Sequence, residues 1–201
     1  MTRVKVPTLT GKRVRLEPLF QSHFSGLETV AFDPAIWRYM LVRIADREEL
    51  QTWIDSALAT PSEKQITWVT FATRGAENRL VGSTRLIDID MRHRTAEIGH
   101  TWIAPALHGT GINAEAKLLQ LTYAFEDLEM NRIAFKTHHE NLQSQAAIRK
   151  LGAGYEGTFR NHYVMPDGSL RHSVWFSITR EEWPQVRSRL MARLREDQPF
   201  A

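Results

Sequence analysis

The stretch from Trp102 to Phe125, WIAPALHGTGINAEAKLLQLTYAF, narrows the folding options of this chain more than any other. Gly109 and Gly111 can adopt backbone dihedrals closed to other residues and let the main chain approach a ligand closely. Directly behind them Ala114, Leu118, Leu121 and Phe125 recur at helical spacing. The first N–H groups of that helix and its positive dipole end therefore point at the bend, which makes the bend a seat for an anion. Ahead of it, Thr95 to Ile103 reads as a strand running into Pro105. Beyond it, Arg132 to His138 is β-rich, and a second helix is entered at Asn141, with Ser144, Ile148 and Leu151 on one face and Gly152 closing it. Strand, helix, strand and helix in this order put two helix starts on one sheet.

The remaining segments supply more strands and a helical insert. From Lys12 to Leu19, KRVRLEPL alternates basic and apolar residues, as a half-buried first strand does. FQSHFSGLETVAF, PAIWRYM and REELQTWIDSAL read as two or three short helices with breaks at Asp33-Pro34 and Thr60-Pro61. Trp37, Tyr39 and Trp53 in this insert serve either as core or as walls of a pocket. ITWVTFAT and LVGSTRLIDID pair across RGAEN and extend into Thr95 to Ile103 as an antiparallel meander. Near the end, YEGTFRNHYVM and SLRHSVWFSI flank Pro166-Asp167-Gly168, a hairpin turn signal. A last packing helix over about 179–196 opens with Thr179, Glu182 and Pro184, a capping-box pattern. The class is α+β.

With 201 residues, 42% hydrophobic and 24% charged, residues 1–201 read as a single globular domain. The net charge of +3 argues against nucleic-acid binding, and Arg187, Arg189, Arg193 and Arg195 fit a solvated helix face. Apolar stretches are too short to span a membrane and the N-terminus lacks an apolar leader core, so no membrane partner and a cytoplasmic location are expected. The absence of cysteine excludes disulfides, thiolate metal sites and a cysteine nucleophile together, and no G-x-S-x-G elbow offers a serine instead. His138 and His139, neighbours on a strand, should face opposite ways, and no metal site is expected.

HGTGINAEA, then ENLQSQAAIRKLGAGYEG, then MPDGSLRHSVWFSITREEWP, resembles the GNAT N-acetyltransferases, and within them the RimJ/RimL-type branch of ribosomal-protein N-terminal acetyltransferases. The resemblance runs from GKRVRLEPL through EEWPQVRSRL. It implies the GNAT fold, with a mixed central sheet flanked by helices: an antiparallel N-terminal meander and a parallel pair at the CoA site. It also implies acetyl-CoA as cosubstrate, its pyrophosphate on the amides of His108, Gly109, Thr110, Gly111, Ile112 and Asn113, with Asn141 meeting it further along. The family turn usually begins with Gln or Arg; here Leu107 and His108 stand there, a change that backbone donors tolerate.

If the chain is such an enzyme, transfer goes directly from thioester to amine in a ternary complex, since no cysteine can relay the acetyl group. Glu97, on the strand leading to the turn, is the candidate base; otherwise it is solvated or paired with Arg85 or Arg94. Ile148 occupies the position of the usual tyrosine acid, which leaves Ser144 as leaving-group acid near the cofactor sulfur, or as a plain first-turn residue with Asn141. The branch's glutamate before the last hairpin falls near Tyr163, which with His162 is a candidate for acceptor contact or proton relay. A main-chain N–H of Trp102 or Ile103 is placed to hold the oxyanion.

The acceptor is expected to be a primary amine, a peptide or protein N-terminus ahead of a small amine or antibiotic. Asp33, Asp46, Glu48, Glu49 and Asp55 are scattered among basic neighbours and form no polycation site. Two alternatives remain open: a catalytically idle CoA-binding module, and another nucleotide binder, although the P-loop ending and the third glycine of a dinucleotide fingerprint are missing. Hairpin edges from Tyr155 to Ile178 suggest a homodimer.

Overall fold

The computed structural model describes residues 6–74 and 77–196. Period-two alternation of apolar residues yields eight strands: β1 (Leu9–Thr10), β2 (Val14–Pro18), β3 (Ile66–Arg74), β4 (Glu77–Asp90), β5 (Thr95–Ile103), β6 (Arg132–His138), β7 (Gly154–Val164) and β8 (Leu170–Thr179). They form one sheet in the order β1-β2-β3-β4-β5-β6-β8-β7. Every neighbouring pair is antiparallel except β5 and β6. The mixed sheet expected from the sequence is therefore present, and the antiparallel meander is longer than expected, running from β1 to β5. Of the loop RGAEN between β3 and β4, Gly75 and Ala76 lie outside the described residues.

Helices cover both faces. On one side lie α1 (Phe24–Ala31), α2 (Pro34–Trp37) and α3 (Arg47–Ala59), which bury Leu27, Trp37, Leu50, Trp53 and Ile54 against Val69, Leu80 and Trp102. On the other lie α4 (Ile112–Thr122), α5 (Leu142–Leu151) and α6 (Trp183–Glu196), whose Ile112, Leu121, Ile148 and Leu190 share a core with Trp68, Leu86, Ile98, Phe135 and Phe176. Side chains alternate across a strand, so adjacent residues of β4 and β5 serve opposite cores. Local signals start and stop these helices. Asp33 and Asp46 accept amide bonds from Ala35 and Glu49, each at 2.9 Å, and Gly152 ends α5 at φ 99°. The expected capping box at Thr179 is half formed: its N–H donates to Glu182 Oε2 at 2.8 Å, and the helix itself begins later, at Trp183. Among the described residues no helix is long and apolar enough to cross a membrane.

Gly82 on β4 is where the sheet admits no side chain, because a Cβ there would fall 2.1 Å from the Trp102 carbonyl oxygen and 2.9 Å from Ile103 Cα. Gly82→Ala should push β5 away from β4 and destabilise the fold by on the order of 1–3 kcal/mol, as overpacking does. Urea unfolding measures this, and an unchanged midpoint would contradict the close approach of these strands.

Candidate active site

Parallel pairing of β5 with β6 lasts only for Thr95↔Arg132, Ala96↔Ile133 and Glu97↔Ala134, although the strands continue to Ile103 and His138. From Ile98 and Phe135 onward the two backbones part. A bulge drives the parting: Ser83 faces Trp102 but Arg85 faces Gly99, so Thr84 alone opposes both His100 and Thr101, and His100 sits at φ 47°. Lys117 of α4 holds the bulge from below. Its ammonium is buried and donates to Thr84 Oγ1 at 2.8 Å, Thr101 Oγ1 at 2.6 Å and Gln120 Oε1 at 2.9 Å. Burial lowers its pKa to about 7.

Past the bulge, the Trp102 carbonyl lies against Gly82 of β4, while the Ile103 carbonyl contacts His108 Nε2 at 3.2 Å. Backbone groups alternate sides along a strand, so the Ile103 amide faces the parted side and the Trp102 amide faces β4. Of the two backbone amides singled out in the sequence, that of Ile103 is the one directed away from β4.

A short 3-10 turn, Pro105–Leu107, leads to Gly109 at φ 80° and Gly111 at φ 84°, and Thr110 Oγ1 donates to the Leu107 carbonyl at 2.6 Å. Gly111 is the N-cap of α4 and has no side chain to satisfy the first amides of that helix. A Cβ on Gly109 would meet nothing within 4 Å, so the space over the turn is open. His108 Nδ1 lies 3.3 Å from Gln143 Nε2 and ties this turn to the start of α5, where Asn141 Oδ1 accepts the Ser144 amide at 3.0 Å. His108 to Asn113, Asn141 and Ser144 are thereby brought to one end of the parted strands. Asn113 Oδ1 is buried with no partner among the described residues.

Glu97 stands where pairing ends. It is 3% exposed, and its Oε2 lies 2.9 Å from Lys136 Nζ on β6. Burial raises its pKa, against the pull of Lys136, which suits a base acting near neutral pH. The expected alternatives of solvation or pairing with Arg85 or Arg94 are corrected: Arg94 pairs with Glu129 at 3.7 Å, and Arg85 lies over the Trp53 ring at 4.7 Å. Lys136 also lies 5.6 Å from the centre of the Tyr163 ring, which packs on His162 at 3.9 Å, so Tyr163 joins Glu97 through this lysine.

Trp37 and Trp53 are buried against Trp102, at 5.4 Å and 6.2 Å between rings, and so belong to the core. Tyr39 instead packs on His138 at 5.3 Å. The expectation that His138 and His139 face apart is overturned. The strand ends at His138 and turns, with the Asn141 amide donating back to the His138 carbonyl, so the two rings stack at 4.5 Å. Sequence reasoning missed Lys117, Lys136, His100 and Arg171, and named Arg85 only as a partner of Glu97. For Lys117 a signal existed, since it shares the apolar stripe of Ala114 and Leu121.

Residues 13–154 match the acetyltransferase (GNAT) domain. The chain belongs to the GNAT acetyltransferase family. Across its whole length and 88% of the relative, it is 30% identical to the FsC-acetyl coenzyme A-N(2)-transacetylase of Aspergillus fumigatus. It is 36% identical over 107 residues to a Bacillus subtilis protein provisionally named ribosomal N-acetyltransferase YdaF, a match spanning 53% of this chain and 57% of that one. Among solved structures, a GCN5-related N-acetyltransferase from Brucella melitensis superposes with TM-score 0.87 at 27% identity, over 95% of this chain and 86% of that one. Mycobacterium smegmatis RimJ in complex with CoA-disulfide shares the fold, with TM-score 0.80 at 22% identity over 94% and 95% of the two chains.

His100 makes a pH prediction. Burial, and then Arg85, Lys136 and Arg171, lower its pKa to about 4. Unfolded, it takes a proton near the ordinary histidine value of about 6.5. The unfolded chain thus binds more protons between these values, and stability falls as pH drops from about 6.5 to 4, by on the order of 3 kcal/mol from this group. His100→Asn, which tolerates the positive φ, should flatten that slope in urea unfolding at stepped pH. Equal slopes in the two proteins would refute it.

Proposed function

We propose that this chain moves the acetyl group of acetyl-CoA directly onto a primary amine, and that the preferred acceptor is a peptide or protein N-terminus. The parting of β5 from β6 carries the reading, because it joins an anion-binding turn to a buried carboxylate. CoA fits the donors present. Its pyrophosphate suits the amides from His108 to Asn113, its extended arm bears amides that can pair with the unpaired strand backbones, and Asn141 and Ser144 stand beside that path.

In this reading Glu97 accepts the proton of the attacking amine, while Lys136 orients its carboxylate. The Ile103 amide donates to the carbonyl oxygen as negative charge gathers there. As the C–N bond forms and the C–S bond breaks, Ser144 passes a proton to the departing sulfur and regains one from solvent, to which Glu97 releases the proton it took, and Tyr163 steadies the acceptor through Lys136. Similarity to YdaF and the RimJ-like fold support a protein N-terminus. The acidic residues of the α1–α3 region also fit a singly charged acceptor: Asp33 and Asp46 are spent on helix caps, and Asp55 bonds Gln21 and Gln51 at the surface. A small-molecule amine is the second reading, favoured by the full-length likeness to an N(2)-transacetylase. Strand β7, at the end of the sheet and with Tyr155 and Phe159 exposed, supports a homodimer.

Steady-state acetylation of peptides, amino acids, polyamines and aminoglycosides side by side tests the acceptor. Peptides should turn over best, and exclusive use of polyamines or aminoglycosides would refute that choice. Glu97→Gln should lower kcat by about 10²-fold or more with CoA affinity unchanged. Gly111→Val should instead weaken CoA binding by at least about tenfold in calorimetry, because a β-branched side chain cannot take this φ or leave the turn open. Denaturing mass spectrometry after incubation with acetyl-CoA alone should find no acetylated side chain; a stoichiometric acetyl adduct that chases into product would overturn direct transfer.

A further inference from the structure

The sheet face beneath α1–α3 carries charges in an unusual ratio. In the register, Arg85 of β4 faces Gly99, Glu97 lies two residues earlier on β5, and Lys136 lies two residues beyond Ala134, the β6 partner of Glu97. Arg171 of β8 lies two residues before Ser173, the partner of His138. Alternation puts all four side chains on the same face, spread over β4, β5, β6 and β8. Contacts with Trp53 and with the Tyr39 carbonyl confirm that this is the α1–α3 side. Three cations thus face one buried carboxylate, and Lys136 already holds it.

Among the described residues neither arginine has a carboxylate within ion-pairing distance, although Arg171 feels the charge of Glu97. Arg85 is 7% exposed; its Nη1 meets Gln65 Oε1 at 3.3 Å, and its Nε is buried without a partner among the described residues. Arg171 is 6% exposed, with Nε donating to Ser173 Oγ at 3.1 Å and Nη1 to the Tyr39 carbonyl at 3.4 Å, and its guanidinium lies 5.8 Å from the Tyr163 ring. Burial lowers the pKa of both, that of Arg85 to about 10, so both stay charged at neutral pH. A buried guanidinium with only neutral partners is costly, and its planar fork matches a carboxylate. The remaining groups do not cancel the charge: His100 is held neutral near pH 7, His138 and His162 have lowered pKa values, and Asp88 is exposed. These arginines are not placed for the CoA pyrophosphate, because α4 and α5 start on the opposite face. Gly99, the β5 partner of Arg85, leaves room beside it for the Glu97 carboxylate, since a Cβ there would lie 2.8 Å from Glu97 Oε1.

We propose that the amine acetylated by this chain belongs to a molecule that also carries a carboxylate, and that Arg171 and Arg85 form the subsite for it. The inference rests on the transfer reading for its meaning, but the subsite is testable alone. Glutarate, titrated calorimetrically into the CoA-bound protein, should bind, while neutral glutaramide should not. Arg171→Gln and Arg85→Gln should each weaken glutarate by at least about tenfold, and Arg171→Lys should recover part of the loss. In turnover, kcat/KM for α-amino acids and acidic peptides should exceed that for their amides by about tenfold or more, and the ratio should collapse towards one in Arg171→Gln.

Absence of glutarate binding to the unmutated protein, equal binding of glutaramide, or full glutarate affinity in both folded glutamine variants overturns the subsite. The comparison of glutarate with glutaramide needs no variant, so a variant that misfolds leaves the proposal decidable. Turnover of amines with no preference for acids sinks the subsite alone. Glutarate binding without turnover of any amine sinks the transfer reading and leaves the subsite standing.

Discussion

Two neighbouring strands that stop pairing halfway are the constraint on which the rest of this molecule hangs. Parallel strands normally exchange hydrogen bonds along their shared length, and leaving two rows of backbone groups unpaired inside a sheet is costly. Here β5 cannot follow β6 because the bulge at His100 and Thr101 turns it away. The bulge persists because Lys117 reaches the hydroxyls on both sides of it, Thr84 on β4 and Thr101 on β5. A buried ammonium bonded only to neutral oxygens is itself expensive, offset in part by three short donated bonds. Local rules of this kind are broken mainly at functional sites.

The sheet also separates two kinds of recognition. On the α4–α6 side the donors are backbone amides at helix starts, which depend on glycine dihedrals rather than on side-chain identity. The shape of the turn therefore does not depend on a leading Gln or Arg where Leu107 and His108 stand. On the α1–α3 side the polar groups are charged side chains in a setting of tryptophan and tyrosine, where each charge acts strongly because water is excluded. Glu97 lies at the junction, on the strand whose departure from β6 connects the two sides. Its raised pKa and its salt bridge to Lys136 arise from the same burial, which weakens the carboxylate as an acid and strengthens its tie to the lysine.

Much of the fold was legible because its signals are local. Glycines before a helix, Asn141 at the next helix start, Pro166-Asp167-Gly168 at the hairpin and the alternating strands each act within a few residues of themselves, and all of them formed where expected. Glu97 was legible as a candidate for the same reason, since its strand leads directly into the turn. Its partner was not: Lys136 reaches it only because β6 lies beside β5, and a pairing between strands has no trace in the spacing of either one. The stacked His138 and His139 rings likewise depend on where the strand ends and turns rather than on its alternation. By itself the sequence determined the elements, the glycine turn before α4 and the lack of any thiol chemistry, because propensity, dihedral freedom and residue type belong to the chain. Tertiary structure alone decided the bulge, its buried lysine, the parted strands and the arginines around the carboxylate, because register and burial arise only when distant segments pack.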